Sequence, residues 1–183
     1  MGGTVNERPS RTPRPRVGVS ACLLGDEVRY DGGHKRNAFL VERLGSLVDW
    51  VRVCPEVEVG MGTPRETVRL VRLGDRIRMV TTDTAIDHTD VMHAWANARV
   101  DALARENLAG YVLKKDSPSC GMDRVRVYDV NGAVVGDDRG MFADVLIRRF
   151  PDLPVEDEGR LASPSVQERF IARVFDYWRR HHG

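Results

Sequence analysis

The sequence predicts a single α/β domain, with a mainly parallel sheet flanked by helices and a β-hairpin insertion. Three observations lead there. Short β-prone apolar runs alternate with segments that repeat apolar residues at helical spacing, the pattern of strand, crossover, strand units. Glycine or proline follows most of the strand-like runs and marks a loop at the carboxyl end. At 183 residues the chain can bury one substantial core, and one domain is the default.

Residues 1–15, "MGGTVNERPSRTPRP", are rich in proline and arginine and predict a disordered tail ahead of a domain spanning 16–183. The run "RVGVSACLLG" predicts a buried strand over 17–21, with Cys22 at its end. Asp31-Gly32-Gly33 then makes a turn, and Phe39, Leu40, Arg43 and Leu44 fit a short amphipathic helix stopped near Gly45. Val51 and Val53 mark the next strand, which Pro55 ends because proline offers no N–H to a central ladder; Cys54 closes it. The runs "TVRLVRL" and "RIRMVTT" flank Gly74-Asp75 and predict a hairpin over 67–82, inserted on one side of the sheet.

Residues 89–107 carry Met92, Trp95, Ala96, Val100, Leu103 and Ala104 at helical spacing, with Thr89 or Asp90 as N-cap. "AGYVLKK" predicts a strand entered after Gly110 and leading into "DSPSCG", so the third cysteine also leaves a strand. A strand pair surrounds Asn131-Gly132, a helix covers 141–149 up to Pro151, and a last helix follows Ser163 and Pro164, burying Phe170, Val174, Phe175 and Trp178.

Composition narrows the function. Lys+Arg 28 against Asp+Glu 27 leaves a net charge of +1, so no basic field favours nucleic acid. No apolar run approaches the roughly 20 residues needed to cross a bilayer. The start lacks the apolar centre of a secretory signal. A cytoplasmic protein without a membrane partner is expected, and its oligomeric state is not legible.

Three cysteines cannot all pair within one chain, and a reducing compartment favours metal-binding or reactive thiols. The gaps between Cys22, Cys54 and Cys120 match no compact ligand motif. What unites them is position, because in an open parallel sheet ligands bind in the crevice beyond the carboxyl ends of the strands. Three chemistries fit. Zinc would need a fourth ligand, and His34 is the nearest candidate, although it lies in a Gly-Gly-His-Lys turn; His34, His88, His93, His181 and His182 are left out of the metal site. A redox thiol protein would need no metal. An iron–sulfur cube held at three irons would leave one iron open, a Lewis acid for soft atoms, and a sulfur-containing substrate would suit it. Lys114 and Lys115 would offset the charge of such a centre.

Taken together, "VSACLLGDEVRYDGGHKRN", "VCPEVEVGMGTPRE", "DHTDVM" and "LKKDSPSCG" resemble the thiouracil desulfurase (TudS) family over about residues 16–180, with "FPDLPVEDEGRL" and "FIARVFDYWRR" continuing the likeness. The resemblance implies a 4Fe-4S cluster on Cys22, Cys54 and Cys120 and a thiolated nucleobase such as thiouracil as substrate. It implies that substrate sulfur binds the open iron while water adds at the thiocarbonyl carbon, without net redox change. Glu56 matches the family's acidic catalytic position and Ser117 its active-site serine. Read alone, without the resemblance, Glu56 is rather a loop carboxylate paired with Arg65, and Ser117 a turn-stabilising hydroxyl. Arg29, Tyr30, Asp31, Arg65 and Asp116 are expected around the pocket, Tyr30 stacking on the base and Asp31 or Asp116 reading ring N–H groups. Ser20 and Ser119 are expected to donate to cluster sulfurs. "GMGTPRE" departs from the commoner "GLPTPR" of the family and leaves open which thiolated base is used.

Overall fold

The computed structural model describes residues 13–182, so most of the expected tail lies outside the described residues. Among them the strands form two four-stranded sheets. The first is wholly parallel, in the order β2 (Asp49–Val53), β1 (Arg16–Ser20), β5 (Leu108–Leu113), β8 (Val155–Asp157). A parallel sheet survives only with both faces covered, and all of β5 is buried.

One face of this sheet packs Val51, Val53, Tyr111 and Leu113 against α2 (Thr89–Ala104) and α3 (Met141–Arg149), through Ala96, Val100, Leu103, Phe142 and Leu146. The other packs Val17, Val19 and Val112 against Leu40, Leu44 and the buried stripe Phe170 and Val174 of α4 (Pro164–His182). Phe175 and Trp178, expected in that stripe, are half-buried and meet edge to face. The α/β class with a parallel sheet between helices is as the strand and helix periodicities predict.

The hairpin is not an appendage of that sheet. Strands β3 (Val68–Leu73) and β4 (Arg76–Thr81) turn at Gly74-Asp75, and β3 then pairs in parallel with β6 (Val125–Tyr128), which pairs antiparallel with β7 (Val134–Asp138). This second sheet has its own core of Leu70, Met79, Val125 and Val127 under Met92 of α2. The β3–β6 pairing joins segments far apart in sequence, so no local pattern announces it.

Other differences are local. Residues 39–46 form a wide turn (Phe39–Arg43) and a tight one (Leu44–Ser46) in place of a regular helix. The Thr89 hydroxyl does not cap α2 but accepts the Met79 N–H at 2.8 Å, tying the helix to β4. Gly110 lies inside β5, where a Cβ would meet Val174 at 2.7 Å. A single-turn helix, α1 (Pro55–Glu58), follows β2.

In chain order β1 is followed by β2 on one side and by β5 on the other, so the connections diverge at the carboxyl end of β1. That divergence opens a crevice in doubly wound sheets.

Candidate active site

Each cysteine follows one of three adjacent strands, β2, β1 and β5. Cys22 sits in a tight turn (Ala21–Leu24) after β1; Gly25, at φ 100°, reverses the chain there and donates its N–H to the Cys22 carbonyl. Cys54 precedes α1, whose first residue, Pro55, has the fixed φ a helix start needs. Its N–H is accepted by Glu58 Oε1 at 3.2 Å, and Glu58 is held by Arg99 of α2 at 3.0 Å. Cys120 follows β5 through the Asp-Ser-Pro-Ser turn. The Ser117 hydroxyl accepts the N–H groups of Ser119 at 3.2 Å and Cys120 at 3.0 Å, so it does stabilise the turn. Beneath that turn, the first N–H groups of α3 donate to the Pro118 and Ser119 carbonyls. These bonds satisfy donors a helix start otherwise leaves open.

All three thiols line one cavity of about 330 Å³, together with Glu56, Arg65, Lys114 and Ser117. They are free thiols. Among the described residues no three His, Cys, Asp or Glu side chains converge closely enough to hold a single metal ion. A tetrahedral zinc site would need thiolates about 3.8 Å apart, given a Zn–S bond of about 2.3 Å. His34 is exposed and its Nδ1 accepts the Arg36 N–H. Three thiols spread around a cavity suit a group larger than one ion, and soft sulfur donors suit iron.

Electrostatics agrees that the three are neighbours. Burial pushes the Cys22 and Cys54 thiols up to about 11; Lys114 and then Arg29 oppose the rise at Cys22, and Glu56 adds to it at Cys54. Burial also pushes Cys120 well above the ordinary thiol range, with Glu56, Cys22 and Cys54 adding to it and a hydrogen bond from Ser20 opposing it. Neutral thiols at physiological pH are poor nucleophiles, which disfavours a redox thiol protein. Held as thiolates, they call for a cationic group at the centre.

Glu56 is 9 % exposed. Its Oε1 accepts the Ser119 hydroxyl at 2.8 Å, its Oε2 stands 3.8 Å from Cys54 Sγ, and Arg65 Nη2 is 3.9 Å away. Ser119 therefore holds the carboxylate, not a cluster sulfur. Ser20 accepts the Lys114 N–H at 2.9 Å and acts on Cys120, not on its sequence neighbour Cys22. Arg65 straps two loops by donating to the Val28 and Gly62 carbonyls at 2.9 Å each.

Around the mouth, Tyr30 is 43 % exposed with the Arg29 guanidinium 5.3 Å from its ring centre, and Asp116 sits on the rim at φ 58°. Asp31 does not line the cavity: its carboxylate accepts the Gly33 N–H at 3.0 Å and stands 3.7 Å from Arg29, bracing its own turn.

One residue near the site, Glu158, is not among those the sequence singles out. Glu158, just past β8, accepts the Lys115 N–H at 2.7 Å and pairs with the Lys114 ammonium. The run "VEDEG" is visibly rich in acid, but nothing local tells which carboxylate turns toward the strand ends.

Comparison with known proteins gives the family. The family model for 2-thiouracil desulfurase matches residues 17–158. The uncharacterized protein YbbK of Bacillus subtilis (strain 168) is 36% identical over 112 residues, which are 56% of this chain and 71% of that protein. A solved structure of the 4Fe-4S-dependent thiouracil desulfidase TudS superposes with a TM-score of 0.66 at 29% identity, covering 85% of this chain and 99% of that one. With the matched segment spanning all three cysteines and Glu56, the chain belongs to the 2-thiouracil desulfurase family.

Proposed function

We propose that this protein is a 4Fe-4S-dependent desulfurase of thiolated pyrimidines such as thiouracil, formed by residues 16–183 and working in the cytoplasm. The observation that carries the reading is the lining of one cavity by Cys22, Cys54 and Cys120 together with a buried carboxylate, Glu56. No helix among the described residues is long and apolar enough to cross a membrane, and three free thiols suit a reducing compartment.

Cys22, Cys54 and Cys120 would hold the cluster, which would supply thiophilic Lewis acidity toward the thiocarbonyl sulfur. Everything else falls to the chain's own side chains. Glu56 takes a proton from water as the oxygen adds at the thiocarbonyl carbon. The carbon–sulfur bond breaks, carbonyl forms, and sulfur departs at the same oxidation level as hydrosulfide. Ser119 fixes the Glu56 carboxylate, and the low exposure of that pair keeps bulk water from competing.

Ser117 spends its lone pairs on two backbone N–H groups, so its hydroxyl proton is left to donate to the attacking water or the substrate. Tyr30 offers a face for the planar ring at the mouth, Arg65 shapes the wall beside Glu56, and Asp116 reads a ring N–H from the rim.

The test is anaerobic reconstitution followed by iron and acid-labile sulfide analysis and by loss of the thiocarbonyl absorbance of thiouracil. Iron with sulfide and turnover is expected. Glu56→Gln should keep both and lose turnover. A colourless protein with stoichiometric zinc, or a brown protein inert toward every thiolated pyrimidine, would overturn the proposal.

A further inference from the structure

Lys114 lies at the carboxyl end of β5, and its side chain is only 16% exposed. A largely desolvated ammonium needs partners, and it has two acceptors: Glu158 Oε1, in a short ion pair, and the Lys115 carbonyl at 2.9 Å. Glu158, itself 14% exposed, uses its second oxygen on the Lys115 N–H at 2.7 Å. Its two oxygens therefore clamp consecutive residues of the strand end. The Lys114 N–H is fixed as well, donating to Ser20 Oγ at 2.9 Å.

A lysine ammonium carries three donors, and two are occupied, so the third N–H has no acceptor among the described residues. Lys114 lines the cavity of the three thiols. Of the cations near Cys22 it acts most strongly on that thiol. Arg29, Lys35, Arg65 and Lys115 stand around the same cavity. A fixed ammonium with an open donor in that lining can hold a small anion.

We propose that Lys114 is the cation that receives the departing sulfur as hydrosulfide, through the donor its two fixed bonds leave free, and that Glu158 is its positioning residue. This rests on the desulfurase reading, because hydrosulfide is what that reaction must release. A pre-oriented cation beside the atom that gains negative charge stabilises it without reorganisation, and the clamp by Glu158 supplies the orientation. Lys115, 51% exposed and 3.5 Å from Asp116, is less constrained.

The experiment titrates sodium hydrosulfide into anaerobically reconstituted protein at fixed pH, following the visible spectrum, with iron content and melting temperature recorded for each variant. Lys114→Gln should keep its iron and bind hydrosulfide roughly ten- to a hundred-fold more weakly, the range expected for losing a charge-assisted hydrogen bond. Lys114→Arg should recover most of the affinity. Glu158→Gln should also weaken binding, yet add nothing further in the Lys114→Gln background, since it acts through the ammonium. Wild-type affinity in an iron-loaded Lys114→Gln protein would overturn the proposal. So would additive losses in the double variant. Wild-type protein that takes up no iron would instead sink the desulfurase reading beneath it.

Discussion

Ser119 is fully buried and gives its hydroxyl proton to Glu56 at 2.8 Å. A buried hydrogen bond to a charged group contributes about 1.5 to 3 kcal/mol, so its loss should matter in proportion. Ser119→Ala is expected to lower kcat for thiouracil roughly ten- to a hundred-fold while iron content stays unchanged, measured on reconstituted protein. Equal rates would mean that Glu56 needs no orienting partner. At this scale the sequence is most informative where position alone decides the outcome. A loop leaving a strand starts at the strand's carboxyl end, so the alternation of strands with helices, which predicts parallel strands, puts Cys22, Cys54 and Cys120 at one end of the sheet. Direction within a loop is another matter. Ser119 and Ser20 each stand near a cysteine in sequence, but one faces Glu56 and the other Lys114 and Cys120, because those loops are shaped by bonds to distant strands.

The elements that carry the site are packed to backbone contact. A Cβ on Gly140 would lie 2.6 Å from the Ser119 carbonyl carbon and oxygen and 2.7 Å from the Gly121 nitrogen. These are backbone atoms that cannot swing aside as a side-chain tip can. Gly140→Ala should therefore cost toward the upper end of the about 1 to 3 kcal/mol seen for overpacking and displace the Cys120 turn from α3. A lower melting temperature with reduced iron content is the expected result. In the middle of the sheet, Gly18 leaves room for Tyr111, since a Cβ there would meet the ring at 2.2 Å. The ring is wholly buried and its hydroxyl has no partner among the described residues. An unmet buried polar group costs about 1 to 3 kcal/mol, so Tyr111→Phe should stabilise the metal-free protein, raising the urea midpoint at unchanged slope. The main helices and most strands are legible in the sequence because period 3.6 and runs of β-prone residues are local signals. The three-residue β8 and the one-turn α1 are too short to show a period, and both owe their form to neighbours, β8 pairing with β5 from Tyr111↔Val155 onward.

At the scale of the whole molecule, sheet partners are chosen across long stretches of chain, which is why local patterns reveal the strands of the second sheet but not the sheet itself. The same long-range assembly sets the response to pH. β8 carries Glu156 opposite Val112, at the edge of the parallel sheet, with Arg173 of α4 3.6 Å from one carboxylate oxygen and the other oxygen buried without a hydrogen-bond partner among the described residues. Burial raises the Glu156 carboxyl above its ordinary 4.5, and Arg160 and Arg173 only partly oppose it. Between 4.5 and that raised value the folded chain holds more protons than the unfolded one. The contribution of Glu156 to stability is therefore fully present below the unfolded pKa and lost as pH rises through the folded one. Asp31, Glu66 and Asp87 run the other way. Their pKa values are lowered, by hydrogen bonds from Gly33 and Thr84 at the first two; at Asp87 burial works against the lowering but is outweighed by Thr89 and Arg78. They lose stability as pH falls. A single melting curve mixes both trends, but the difference between wild type and Glu156→Gln isolates one. Melting temperatures from about pH 4 to about pH 8 should show the Gln variant gaining on the wild type as pH rises, then holding a constant advantage. A difference independent of pH would mean that Arg160 and Arg173 fully compensate the buried charge.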